Sequence, residues 1–115
     1  MTTGTCHCGA VKVTLAEQPA WVSDCNCSIC RRYGVLWSYF TAKTVKTEAS
    51  PEALARYSWG RKQLNFVHCK SCGCVMWWER AMPDPEKKMG VNMRMFDPAV
   101  LAAAQVEKLD GASDW

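Results

Sequence analysis

Eight cysteines in 115 residues constrain this chain more than any other feature. They fall into three groups: Cys6 and Cys8; Cys25, Cys27 and Cys30; and Cys69, Cys72 and Cys74. Thiols clustered in this way form disulfides, bind metal or do chemistry, and the redox compartment decides between them. The N-terminus, Met1-Thr2-Thr3-Gly4-Thr5-Cys6, has no basic segment followed by an apolar stretch, so it does not read as a secretory signal. The expected compartment is a reducing cytoplasm, in which the cysteines are mostly metal ligands. A disulfide framework would require secretion.

Composition narrows the class. The length predicts one domain over residues 1–115. A hydrophobic fraction of 49% argues against disorder. The net charge of +3 is mild and spread along the chain, which argues against nucleic acid as the main partner. No apolar run approaches the roughly 20 residues of a membrane span.

Short apolar runs separate the cysteine groups. Val11-Lys12-Val13-Thr14-Leu15 alternates as a half-buried strand does. Trp21-Val22-Ser23, Leu36-Trp37-Ser38-Tyr39-Phe40, Gln63 to Cys69, Val75-Met76-Trp77-Trp78-Glu79 and Gly90 to Met95 read as further strands. Trp77 and Trp78 cannot both face one side of a strand, so one belongs to the core and the other to a pocket or interface. One stretch is helical by pattern: Asp97 as N-cap, Pro98 at the first position, then Ala99 to Gln105. A single turn is expected at Ser28 to Arg32. The pattern predicts a small, mainly β, zinc-bound domain with one short C-terminal helix.

The cysteine spacings predict two unlike sites. Cys69-Lys70-Ser71-Cys72-Gly73 has a usual zinc spacing. In Cys6-His7-Cys8-Gly9 an extended backbone would turn both thiols to one side. A glycine after each pair lets the chain turn tightly past the ion. Cys6, Cys8, Cys69 and Cys72 would then make a closed, structural zinc site. Cys25-Asn26-Cys27-Ser28-Ile29-Cys30 offers only three thiols, which leaves a fourth position for water or substrate unless Cys74 or His68 closes it. Arg31 and Arg32 follow directly and could meet an anionic substrate. Cys74 otherwise reads as a buried thiol, and His7 and His68 as turned aside from the metals.

Taken in order, Thr5-Cys6-His7-Cys8-Gly9-Ala10-Val11, Cys25-Asn26-Cys27-Ser28-Ile29-Cys30-Arg31-Arg32 and Cys69-Lys70-Ser71-Cys72-Gly73 resemble the glutathione-dependent formaldehyde-activating enzyme family, which includes centromere protein V. The resemblance runs from about Cys6 to Val75, and weakly on through Val91-Asn92 and Phe96-Asp97. It implies an Mss4-like fold, a structural zinc on Cys6, Cys8, Cys69 and Cys72, and a more labile zinc on Cys25, Cys27 and Cys30. It implies carbon–sulfur lyase activity, with a small thiol such as glutathione as partner and S-hydroxymethylglutathione as adduct. The chain departs from the family pattern at bulky Leu36 and Trp37, and at Cys74, where a small or polar residue is more usual. Two functions remain in view: an enzyme using Cys25, Cys27 and Cys30 as its catalytic zinc ligands, with Arg31 or Arg32 near substrate, and a non-catalytic zinc module that binds a protein or nucleic acid.

Overall fold

The computed structural model describes residues 1–114, in two β-sheets and three short α-helices. The smaller sheet is antiparallel, in the order β1 (Thr2–Thr5), β2 (Lys12–Leu15) and β5 (Val45–Glu48). The larger has seven strands. Its order is β10 (Gln105–Leu109), β3 (Trp21–Cys25), β4 (Trp37–Thr41), β9 (Lys88–Asn92), β8 (Val75–Arg80), β7 (Leu64–Cys69) and β6 (Leu54–Tyr57). All its pairings are antiparallel except β10 against β3. The helices are α1 (Ser28–Tyr33), α2 (Pro98–Ala102) and α3 (Gly111–Asp114). The fold is mainly β, as the strand pattern predicts.

Strand alternation divides the apolar residues between two clusters. Val11, Val13, Leu15, Val67, Trp77 and Val91 belong to one core, which joins the two sheets. Cys25, Cys27, Cys30, Trp37, Phe66 and Trp78 form a second cluster. Neighbours therefore part company: Phe66 from Val67, Leu36 from Trp37, and Trp77 from Trp78. One irregularity adjusts the pattern. Val67 pairs with Trp77 and His68 with Val75, so Met76 is an extra residue in β8. Such a bulge lets Met76 and Trp77 both enter the first core despite being adjacent.

The C-terminal helix is shorter than its pattern predicts. Asp97 caps it as expected, its carboxylate accepting the Ala99 N–H at 2.9 Å. The helix ends at Ala102 instead of reaching Gln105. The Gln105 N–H donates to the Ala20 carbonyl at 3.0 Å, and Gln105 opens β10. Pairing with β3 outcompetes a weak local preference.

Buried Asn92 ties β9 to β8 and to the segment that leads into β4. Its amide donates to the Val75 carbonyl at 2.8 Å, and its oxygen accepts the N–H groups of Leu36 and Arg94. Its polar atoms are thereby satisfied inside the core.

Candidate metal centres

Cys6, Cys8, Cys69 and Cys72 converge, with all four sulfurs within 4.8 Å of one another. The local geometry differs from the extended form expected of Cys6-His7-Cys8. Strand β1 stops at Thr5, and the next residues turn, with the Gly9 N–H donating to the Cys6 carbonyl at 3.1 Å. The turn itself brings Cys6 and Cys8 Sγ to 3.6 Å. The second pair leaves the end of β7 in a similar turn, closed by the Gly73 N–H on the Cys69 carbonyl at 2.9 Å. Gly9 and Gly73 both adopt left-handed backbone, at φ 84° and 80°, as the tight turns require. Cys8 Sγ lies 3.6 Å from Cys69 Sγ across the site.

Backbone N–H groups point at these sulfurs. Val11 N–H donates to Cys6 Sγ at 3.3 Å. The N–H groups of Cys74 and Cys8 pull the Cys72 thiol down to about 5. The Cys72 N–H, helped by that of Ser71, lowers Cys69. At Cys8 the Ala10 N–H favours the thiolate, but the sulfurs of Cys69 and Cys6 outweigh it and hold the thiol up at about 11. Crowded sulfurs that compete for protons, each approached by backbone donors, suit a shared cation. Tetrahedral zinc, with Zn–S of about 2.3 Å, would set sulfurs about 3.8 Å apart, which this cluster matches.

Cys25, Cys27 and Cys30 form the second cluster, all buried and with sulfurs within 4.8 Å. Cys25 ends β3, Cys27 is the N-cap of α1, and Cys30 lies on the inward face of that helix. Cys27 Sγ accepts the Cys30 N–H, and Cys25 Sγ accepts the Cys27 N–H, both at 3.5 Å. Gly34 closes α1 in left-handed backbone at φ 68°. Trp37 Nε1–H donates to Cys30 Sγ at 3.2 Å. Burial pushes the thiols of Cys25 and Cys30 up. Three soft donors in an apolar setting need a cation to be held as thiolates, and zinc fits that donor set.

Among the described residues neither Cys74 nor His68 joins this cluster. Cys74 instead borders the four-cysteine site and is half-buried, not fully buried as expected. The His7 N–H favours its thiolate, but burial and the Cys72 sulfur outweigh that and raise it. Neither histidine belongs to either cysteine cluster.

The second cluster lies in the wall of a cavity of about 790 Å³. Trp37, Tyr39, Trp59, Phe66 and Trp78 line it. Trp78 is thus the pocket tryptophan and Trp77 the core one. Burial raises the Tyr39 phenol, which stays protonated at neutral pH. Arg31 and Arg32, expected near substrate, do not line the cavity. They follow inward-facing Cys30 on α1 and are exposed, and Arg32 folds back to donate to the Ser28 carbonyl at 2.8 Å. The cavity cations are Arg61, Arg80 and Lys88. Arg80 was legible in the sequence: it stands two residues after Trp78 in a strand, and so on the same face. Trp59 and Arg61 come from the β6–β7 connection, which carries no such signal.

Residues 1–109 match the family model described as glutathione-dependent formaldehyde-activating enzyme. Among solved structures, the crystal structure of a Rhodobacter sphaeroides protein, a structural genomics target, is similar to this chain. Its TM-score is 0.72 at 29% identity, over 91% of this chain and 99% of that one. Among the described residues no helix is long and apolar enough to cross a membrane.

Proposed function

Because this chain belongs to the glutathione-dependent formaldehyde-activating enzyme family, with its Mss4-like fold, we propose that it is a zinc-dependent carbon–sulfur lyase acting on a small thiol/aldehyde adduct such as S-hydroxymethylglutathione. One observation carries the reading: three buried sulfurs, not four, meet in the wall of a cavity large enough for a small organic ligand. In this reading Cys6, Cys8, Cys69 and Cys72 hold a structural zinc, and Cys25, Cys27 and Cys30 a catalytic, more labile one. The protein is then a single cytoplasmic zinc domain with a small thiol as its partner.

Held by three thiolates, zinc would supply a Lewis acid that lowers the pKa of a substrate thiol and stabilises a departing thiolate. In the lyase direction the C–S bond breaks with its electron pair on sulfur, and the hydroxyl proton passes to solvent water as the carbonyl forms. The chain's own residues prepare that step. The Trp37 indole N–H and the α1 backbone orient the sulfurs of Cys30 and Cys27. The aromatic walls set an apolar surface beside the three sulfurs, where charge interactions are stronger than in water. The Tyr39 phenol can donate a hydrogen bond to the adduct's oxygen.

The test is metal content followed by turnover. We expect two zincs per chain, one removed by a mild chelator while the far-ultraviolet circular dichroism persists. Zinc-loaded protein should accelerate adduct formation from glutathione or another small thiol with formaldehyde or another aldehyde, above the spontaneous rate. Two zincs equally resistant to chelation would mean a closed second site. No acceleration with any thiol/aldehyde pair would remove the lyase reading and favour a non-catalytic zinc module.

A further inference from the structure

The cavity's charges are unbalanced in a way that selects a ligand. Arg61, Arg80 and Lys88 line it, and among the described residues no aspartate or glutamate does. The ion pairs of the described residues engage Lys43, Lys46, Arg56 and Lys108, and none of these three. Two of the cations are set against aromatic walls. The Arg80 guanidinium carbon is 6.0 Å from the centre of the Trp78 ring, and Lys88 Nζ is 5.2 Å from that of Tyr39. Arg80 Nε is buried and, among the described residues, has no hydrogen-bond partner. Arg80 also lines the cavity, and a carboxylate is the anion whose two oxygens match a guanidinium edge.

The walls specify the remainder of the ligand. Tyr39, Trp59, Phe66 and Trp78 present ring surface, and Gln63 is the one side-chain amide among the lining residues. Such a cavity offers many apolar contacts and few partners for peptide groups. An ammonium group, as glutathione carries, would meet three cations and, among the described residues, no carboxylate there; its one counter-charge would be the single net negative charge of a zinc held by three thiolates.

We propose that the cavity takes a ligand with a flat apolar body and a carboxylate seated on Arg80, and without an ammonium group. Resting on the lyase reading for the presence of sulfur, this makes the substrate the aldehyde adduct of an aromatic mercapto-carboxylate, with Arg80 as the residue that determines specificity.

Calorimetric titration of the zinc-loaded full chain tests it with four probes: 3-phenylpropanoate, its methyl ester, 2-mercapto-3-phenylpropanoate and glutathione. The mercapto acid should bind at least tenfold more tightly than glutathione, and phenylpropanoate at least tenfold more tightly than its ester. Arg80→Gln should collapse the acid-to-ester ratio to near one. Glutathione binding as tightly as the mercapto acid overturns the proposal, as does an acid preference that survives in Arg80→Gln. Should that variant fold poorly, the ligand series on the unaltered chain still decides. Phenylpropanoate has no thiol, so its Arg80-dependent binding would stand even if no lyase activity were found. Acceleration of glutathione adduct formation without any acid preference would keep the lyase reading and discard this one.

Discussion

At the scale of single residues, the two cysteine clusters should respond very differently to loss of one ligand. Cys72 is approached by two backbone N–H groups and sits among three other sulfurs. Under the structural-zinc reading, Cys72→Ser forfeits much of the metal's contribution to folding, which for structural zinc is on the order of 10 kcal/mol. The variant should be largely unfolded by circular dichroism; a soluble, cooperatively melting Cys72→Ser protein would contradict a structural role. Cys27 does two jobs, as a cluster sulfur and as the N-cap of α1. Serine is itself a favoured N-cap, so Cys27→Ser should keep the helix and the fold and lose only the second metal. Retention of both metals by that variant would move Cys27 out of the site. The grouping of the cysteines was legible from spacing together with the family resemblance, although spacing left open whether Cys74 or His68 completed the second set. The backbone donors aimed at the sulfurs were not, because they depend on turns that a residue pattern does not define.

Among elements, the cavity depends on how β8 and β9 lie together. Gly90 stands opposite Trp78 in that pairing, and a Cβ on Gly90 would overlap the Trp78 indole. The glycine is therefore required by close approach of a ring, not by an unusual backbone angle. Gly90→Ala should cost about 1–3 kcal/mol, since the ring or the strand must shift. It should also alter the near-ultraviolet circular dichroism of the tryptophans. Unchanged stability and spectrum would show that the indole does not rest on this glycine. Strands β2, β3, β4, β7, β8 and β9 were readable from alternation and apolar or aromatic runs, as was the separation of Trp77 from Trp78, whereas β1, β5, β6 and β10 were not. The bulge at Met76 and the early end of α2 were not, because each is imposed by a partner strand distant in sequence.

For the molecule as a whole, β10 closes the larger sheet by returning to β3, far back in the chain. Strand β10 runs parallel to β3, and Leu109, which lines the cavity, pairs with Cys25. The closure is clasped by Asn26. Its amide donates to Asp110 at 3.0 Å, its oxygen accepts the Ala112 N–H at 2.9 Å, and its backbone N–H donates to the Leu109 carbonyl at 3.0 Å. The Asn26 bond, with the Ser113 hydroxyl, holds the Asp110 carboxyl below its ordinary range. A carboxylate whose folded pKa is depressed stabilises the fold above its unfolded pKa of about 3.9, and that gain disappears as pH falls through the folded value. Asp110→Ala should therefore melt below the unaltered protein at pH 7, with faster hydrogen exchange in β10, and the difference should narrow on acidification. A difference that grows at low pH would contradict the clasp.

By itself the sequence determined the fold class, the grouping of seven cysteines into a set of four and a set of three, and the chain's kinship. It could do so because strand alternation and ligand spacing are local properties, written in neighbouring residues. The tertiary structure decided which charges face the second set. Arg31 and Arg32, adjacent to it in sequence, turn to solvent on α1, while Arg61, Arg80 and Lys88 arrive from strands and a connection far along the chain. It also decided that Cys74 borders the first cluster and that His68 joins neither. The physical reason is that a cavity is made by elements meeting across a sheet, and its lining follows from register, bulges and chain closure. The eight cysteines identify where metal can bind; the packing of rings and cations around three of them selects what could lie beside it.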